Sequence, residues 1–383
     1  MGTENGSLPH LVVVAPPAIH TTRWCDYFRS IGWRVDWISY GFADDGAVDH
    51  IPQLNTGRVP IWPLLRERRR LRAMLDRLEP DLVHAHWFVG PGWLMALLRN
   101  RPFTVTAWGS DALLFAALSR YRVMMGRLVG KRAAAVTYDS ESIADALAAV
   151  GVPRELMHRI VFGPDSSLFR PRGRNAELLR RLGVRNDDPN VLSLRGLDEV
   201  YEPETVLRAF AEVARERPCN LLLRVDSVHI GDEAVVSNTE ALWGRLRRVA
   251  AELGILDRVV PYENVAREDL PELLSSSDVF VSVPSSDGTS VALLEALFCE
   301  VPVVVSELPA NREWVPDEGY GKVVPVGDPA ALALAIGDTL DDLPAARERA
   351  RVAAERARPL AEGSLEYGRA RDLSLEVLAA ARG

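Results

Sequence analysis

DVFVSVPSSDGTSVALLEALFCEVPVVVS (278–306) holds two short strand signals around a helix signal, with a polar turn after the first strand. DVFVSV (278–283) has the length and β-branched content of a buried strand. Asp287-Gly288-Thr289-Ser290 then interrupts the apolar pattern, and Gly288 permits close backbone approach. VALLEALF (291–298) leaves as a helix. Its first amides lack intrahelical partners and carry the positive end of the helix dipole, which suits phosphate. Glu295 lies eight residues beyond Asp287. That is about 10 Å along a helix, near the span of a ribose, a diphosphate and a sugar. One carboxylate at each end would then bind hydroxyls, with phosphates between them. The competing reading is an ordinary strand–helix–strand unit in which Glu295 reaches solvent.

The same alternation runs outward through the chain. Strand signals fall at 11–15, 35–39, 81–86, 103–107, 133–138 and 159–162, then at 190–194, 220–225, 258–262, 278–283 and 301–306. Amphipathic stretches such as LLRERRRLRAMLDRL (64–78) and ETVLRAFAEVARE (204–216) separate them. This predicts an α/β fold of parallel sheets covered by helices on both faces. The length of 383 residues suits two such domains. FRPRGRN (169–175) is the best linker, and 354–383 reads as a helix able to return to the first domain. The expected division is therefore 1–170, 171–353 and 354–383. Ligands of open α/β sheets gather beyond the carboxyl ends of the strands. Those positions hold His20, His86-Trp87, Trp108-Gly109-Ser110-Asp111, Arg195 and the 287–290 turn.

Composition narrows the classes. Hydrophobic residues are 48%, charged residues 26%, and the formal charge is -8, so no bulk positive field invites nucleic acid. Cys25, Cys219 and Cys299 are far apart and form no disulfide framework. The first ten residues lack the regions of a secretion signal, and no apolar run approaches a membrane span. The expectation is a cytoplasmic protein with at most peripheral membrane contact. Lys131 and Lys322 are the only lysines, which leaves few candidates for Schiff-base chemistry. No G-x-G-x-x-G follows a strand and no G-x-S-x-G is present.

Segment 278–315 resembles the donor-binding segment of the retaining GT-B glycosyltransferases of family 4 (glycosyl transferases group 1). The matching residues are Asp287, Glu295, Pro302-Val303-Val304 and Glu313. PDLVHAHW (80–87), TVTAWGSD (104–111), DSESIADALAAVGVPRE (139–155) and GPDSSLFRP (163–171) are similar to other parts of that family, in the same order. The resemblance implies two Rossmann-like domains facing a cleft, with the acceptor on the N-terminal domain and the donor on the C-terminal one. It implies sugar transfer from a nucleotide diphosphate sugar, with retention, to a saccharide, lipid-linked or small-molecule acceptor. No metal and no cofactor is expected. Arg195 is the implied diphosphate contact and Asp287 the sugar contact, together the catalytic pair. Gly288, Thr289, Ser290 and Val291 are expected along the diphosphate and Glu295 on the ribose. Arg224, Asn264 and Tyr201 complete the donor candidates. His20, His86, Trp87, Trp108 and Asp111 are the acceptor candidates.

Departures from the family pattern keep other functions open. Asp287 replaces a Glu, and Tyr201 or a neighbour stands where a Lys follows the diphosphate Arg. Pro16-Pro17-Ala18-Ile19-His20 replaces a glycine pair, and Val225-Asp226-Ser227 replaces a G-x-G. A nucleotide-sugar epimerase of the same fold is one alternative. A degenerate nucleotide-sugar-binding protein without transferase activity is another. His84 and His86 share a strand face but have no evident third ligand for a metal. Trp108 either stacks on an acceptor ring or packs, and Asp111 either binds acceptor or caps a helix. Arg66 to Arg72 form a basic stretch that suits a solvated helix face better than a lipid surface.

Overall fold

The computed structural model describes residues 8–41, 44–52, 61–98, 101–113, 120–226, 233–263 and 265–382. The chain divides into two compact units, Met1–Phe162 with Ser364–Gly383, and Gly163–Gly363. The first unit contains strands β1 (His10–Ala15), β2 (Arg34–Gly41), β3 (Asp49–Pro52), β4 (Leu82–His86), β5 (Phe103–Thr106), β6 (Ala135–Tyr138) and β7 (Met157–Arg159). The second contains β8 (Asn190–Ser193), β9 (Asn220–Arg224), β10 (Val259–Tyr262), β11 (Val279–Ser282), β12 (Val303–Ser306) and β13 (Lys322–Val324).

The sheet orders are β3-β2-β1-β4-β5-β6-β7 and β10-β9-β8-β11-β12-β13. All of these pairings are parallel. A parallel pair needs a crossover, and helices supply it, such as Pro203–Glu216 between β8 and β9. Helices on both faces explain why the central strands are apolar at nearly every position. Val12 and Val14 of β1, Val83 and Ala85 of β4, and Val105 of β5 build the first core. Val191, Leu221, Val279, Val281 and Val304 build the second, with Phe210 from the Pro203–Glu216 helix. Strand order reverses between β1 and β4 in one sheet and between β8 and β11 in the other. Ligands of such sheets bind beside that reversal, at the carboxyl ends.

Two strands lie outside the sequence expectation. β3 and β13 are the edge strands of their sheets, four and three residues long. Edge strands need less burial, so DHIP and KVV carry little apolar signal. The expected strand 159–162 is shifted, with β7 ending at Arg159. The Ile160 amide still donates to the Tyr138 carbonyl at 2.9 Å, and the Val161 amide donates to Glu366 Oε2 at 2.8 Å.

That bond belongs to the returning helix Gly363–Arg382, whose Tyr367 also stacks on Tyr27 at 5.3 Å. The units divide at 162/163 and 363/364, where the sequence suggested 170/171 and 353/354. The reason is packing. Ala353, Ala354, Ala357 and Ala361 bury one stripe of the Leu343–Ala361 helix within the second unit. Gly163 lies so close to that helix end that a Cβ would meet the Ala361 carbonyl oxygen at 1.6 Å. The Gly363 amide donates back to the Pro164 carbonyl at 2.8 Å.

Candidate functional site

The carboxyl ends of β8 and β11 bring Arg195 and Asp287 together. Arg195 Nη2 lies 3.0 Å from Asp287 Oδ2, with both side chains largely buried. The contact falls outside hydrogen-bond alignment, since Oδ2 has no aligned donor among the described residues. It is a charge pair more than a directed bond. Arg195 Nη1 donates to Ser290 Oγ at 2.5 Å. The guanidinium carbon sits 4.1 Å from the centroid of the Tyr201 ring. Burial works against the Arg195 charge, yet Asp287 and Tyr201 outweigh it and hold the pKa above the ordinary arginine value. Burial pushes the Asp287 carboxyl up, opposed by Arg195 and the Gly288 amide.

The turn that carries Asp287 is fixed by its own residues. The Gly288 amide donates to Asp287 Oδ1 at 3.0 Å. Ser290 caps the helix Val291–Phe298 by accepting from the Leu293 amide at 3.3 Å. Ser290 thus joins the helix N-terminus to Arg195, a placement that concentrates positive potential at one point. Thr289 Oγ1 accepts from Trp314 Nε1 at 3.4 Å, which buries it. Glu295 is 6% exposed, so it does not reach solvent as the competing sequence reading held. Its Oε1 lies 3.9 Å from Arg267 Nη1. Glu313 sits on the helix Pro309–Trp314, and its carbonyl accepts from Arg356 at 2.7 Å.

Arg224 ends β9 and forks onto Asp226, with Nε–Oδ1 at 2.7 Å and Nη2–Oδ2 at 2.8 Å. The Asp226 hydrogen bond raises its pKa against the cost of burial, and the charge of Arg195 opposes it. The two guanidinium groups are therefore electrostatic neighbours, each with its own carboxylate. Asn264 and Ser227 lie outside the described residues. A hollow of about 500 Å³ lined by Arg174, Leu179 and Val184 precedes β8 in the chain and contains none of these residues.

In the first unit the five acceptor candidates cluster at the ends of β4 and β5. Trp108 Nε1 donates to His86 Nδ1 at 2.8 Å, so the His86 proton sits on Nε2. Among the described residues Nε2 has no hydrogen-bond partner. His20 packs edge-on against Trp108 at 5.1 Å, and Trp87 does so at 6.0 Å. His86, expected among the acceptor contacts, is 0% exposed, with Trp108 packed over it. Burial, then His84 and His20, hold its pKa well below the ordinary histidine value. His84 bonds Thr104 and Thr106, and Trp24 stacks on it at 4.3 Å. Among the described residues no three metal-ligating side chains cluster.

Asp111 gathers three backbone amides at the start of its helix. Oδ2 accepts from the Phe88 amide at 2.7 Å, and Oδ1 from the Trp108 and Gly109 amides at 2.9 Å each. The donors precede the helix Ser110–Leu113, so Asp111 ties the loops after β4 and β5 to the start of that helix. The basic stretch 66–72 is largely partnered, with Arg66 on Glu67, Arg70 on Asp49, Arg72 on Asp76 and Arg68 on the Leu97 carbonyl. Among the described residues no helix is long and apolar enough to cross a membrane.

Residues 175–358 match the family model described as glycosyl transferases group 1, and residues 17–163 match the glycosyl transferase 4-like domain. The chain belongs to the group 1 glycosyltransferases. It is 29% identical over 291 residues to a D-inositol 3-phosphate glycosyltransferase of Xylanimonas cellulosilytica, a match covering 71% of this chain and 67% of that protein. Against a second such enzyme, from Acidothermus cellulolyticus, the match is 31% identical over 47% of this chain and 39% of that protein. The solved sucrose-phosphate synthase of Thermosynechococcus elongatus superimposes with a TM-score of 0.78 at 20% identity, covering 97% of this chain and all of that one. The fold is GT-B, with two Rossmann-like parallel-sheet domains.

Within this glycosyltransferase, two features of the second unit escaped sequence reasoning. Arg267 approaches Glu295, yet it sits in ENVARED (263–269), just past the carboxyl end of β10. The strand-end rule applied to that loop would have found it. The placement of Arg195 over Tyr201 had no sequence signal beyond the missing Lys.

Proposed function

We propose that the protein is a retaining glycosyltransferase that moves a sugar from a nucleotide diphosphate sugar to a hydroxyl of a saccharide or small polyol acceptor, without a metal. The observation that carries this reading is the meeting of Arg195, Ser290 and Asp287 where the strand order of the second sheet reverses. A guanidinium there offers charge-assisted hydrogen bonds to a leaving diphosphate. Glu295, one turn into the adjoining helix, binds the ribose hydroxyls, and Asp287 orients the transferred sugar. The acceptor belongs to the first unit, beside Trp108, whose ring suits the apolar face of a sugar or polyol. The related Xylanimonas enzyme is named for an inositol phosphate acceptor, which favours a polyhydroxylated ring.

One observation favours a second reading, a nucleotide-sugar-binding protein without transfer. Both site cations already have a carboxylate, Arg195 with Asp287 and Arg224 with Asp226. The test is calorimetric titration of UDP, GDP, ADP and TDP and their sugar conjugates in EDTA, on wild type and Arg195→Ala. It is followed by NMR of the product anomer. Binding lost in the variant and a product of unchanged anomeric configuration support the transferase. Binding without turnover on a panel of saccharides and polyols supports the second reading.

A further inference from the structure

We infer that Tyr201 is a positioning residue for Arg195: its ring is the floor on which the guanidinium lies while Ser290 and Asp287 hold the edges. The inference rests on the reading of Arg195 as the diphosphate contact.

Three observations carry it. First, the guanidinium carbon is 4.1 Å from the ring centroid, within cation–π range. Arg presents its donors at the edges of a plane, so a ring against the face leaves those edges for oxygen partners. Second, the ring is held from outside. Tyr201 ends the short helical turn Glu199–Tyr201, which Asp198 caps through the Val200 amide at 3.0 Å. The Val200 carbonyl accepts from the Ser285 amide at 2.8 Å and from Ser285 Oγ at 3.2 Å. That bond ties the Tyr201 turn to the loop that carries Asp287. Glu199 pairs with Arg245 at 2.6 Å. Third, the Ser290 and Asp287 contacts lie at the nitrogens on the guanidinium edge. Ser290 takes one nitrogen, and Asp287 contributes a charge contact outside hydrogen-bond alignment.

The consequence is a different solution to anion binding from the one the family pattern implies. A second cation would add attraction but would repel Arg195. An aromatic ring adds no repulsion and reduces the freedom Arg195 loses when a diphosphate arrives. Preorganisation of Arg195 then stands in for the Lys of the family pattern, beside an Arg224 already forked onto Asp226.

The experiment is calorimetric titration of UDP, GDP, ADP and TDP into wild type, Tyr201→Phe, Tyr201→Leu, Tyr201→Gln and Arg195→Ala, with thermal unfolding of each. Phe keeps the ring, and Leu and Gln remove it. The expected result is about 3- to 30-fold weaker binding in the Leu and Gln variants. Tyr201→Phe should stay within about threefold of wild type. Rescue by Phe separates a ring acting on Arg195 from a general loosening of the turn. Wild-type affinity in a folded Leu or Gln variant overturns the inference. So does a Phe variant as weak as the Leu one, which would assign the effect to the phenol hydroxyl. Wild type binding none of the four, or Arg195→Ala binding as wild type does, overturns the donor-site reading and this inference with it.

Discussion

Arg195 Nη2 and Asp287 Oδ2 lie 3.0 Å apart at the ends of two adjacent strands, in a contact that is close but not aligned as a hydrogen bond. The carboxylate therefore competes with any anion for the same guanidinium. It also keeps the buried cation neutralised when no anion is there. A ligand diphosphate offers aligned oxygens and displaces the weaker geometry. Asp287→Asn should then tighten nucleoside diphosphate binding by about 3- to 10-fold, because the competing charge is gone. Sugar transfer should fall by at least about 100-fold if, as proposed, Asp287 orients the transferred sugar. Asp287→Glu, the residue the family pattern carries, should keep activity within about tenfold of wild type. Calorimetry beside initial rates measures both halves. Asp287→Asn losing affinity and rate together would mean that the carboxylate binds ligand directly and does not restrain Arg195.

Glu295 is buried on the helix that Ser290 caps, and its Oε1 lies 3.9 Å from Arg267 Nη1. A carboxylate in that position gives charge-assisted hydrogen bonds to a vicinal diol. Glu295→Ala should weaken nucleoside diphosphate binding by about 10- to 100-fold. The same change should matter far less for inorganic pyrophosphate, which has no ribose. Competition between pyrophosphate and a nucleotide, followed by calorimetry, reads the difference. Equal losses for both ligands would remove Glu295 from the ribose.

The sequence made the place of the candidate site in the fold legible and left its internal geometry hidden. Strand-end logic singled out Arg195 and Asp287 because apolar strands, unlike loops, advertise themselves through periodicity. The same logic missed β3 and β13, whose edge positions relax the apolar requirement. It left Asp111 between an acceptor contact and a helix cap, since no spacing reveals that three backbone amides converge on one carboxylate. It placed His86 at a strand end without showing that Trp108 covers it. Side-chain direction and cover are tertiary properties, and the one-dimensional pattern does not carry them.

His84 supplies a prediction about acid. Burial between Trp24 and the β5 threonines drives its pKa down to about 3, from an ordinary 6.5. The folded state thus binds fewer protons than the unfolded state between those values. Its contribution to stability is complete above pH 6.5 and is lost as pH falls toward 3. The first unit should lose stability on the order of a few kcal/mol across that window, with His86 acting in the same direction. His84→Asn keeps groups that can bond Thr104 and Thr106 but does not titrate. It should flatten the slope of stability against pH, measured by urea unfolding at a series of pH values. An unchanged slope would mean that His84 is solvated in the folded protein.

The second unit carries a steric constraint that can be tested without any ligand. A Cβ on Gly163 would lie 1.6 Å from the Ala361 carbonyl oxygen, far inside contact distance, and the obstacle is backbone that no rotamer relieves. The neighbouring chain is fixed as well, because the Gly363 amide donates to the Pro164 carbonyl at 2.8 Å. Gly163→Ala should therefore destabilise by about 3 kcal/mol or more, near the top of the range for single substitutions. Gly173 provides the matched control, since a Cβ there meets nothing within 4 Å. Gly173→Ala should change stability by less than about 1 kcal/mol, and in the stabilising direction if its backbone suits Ala. Thermal and urea unfolding of the two variants side by side measures the contrast. Equal stabilities would show that the passage of residues 163 and 361 is looser than this packing requires.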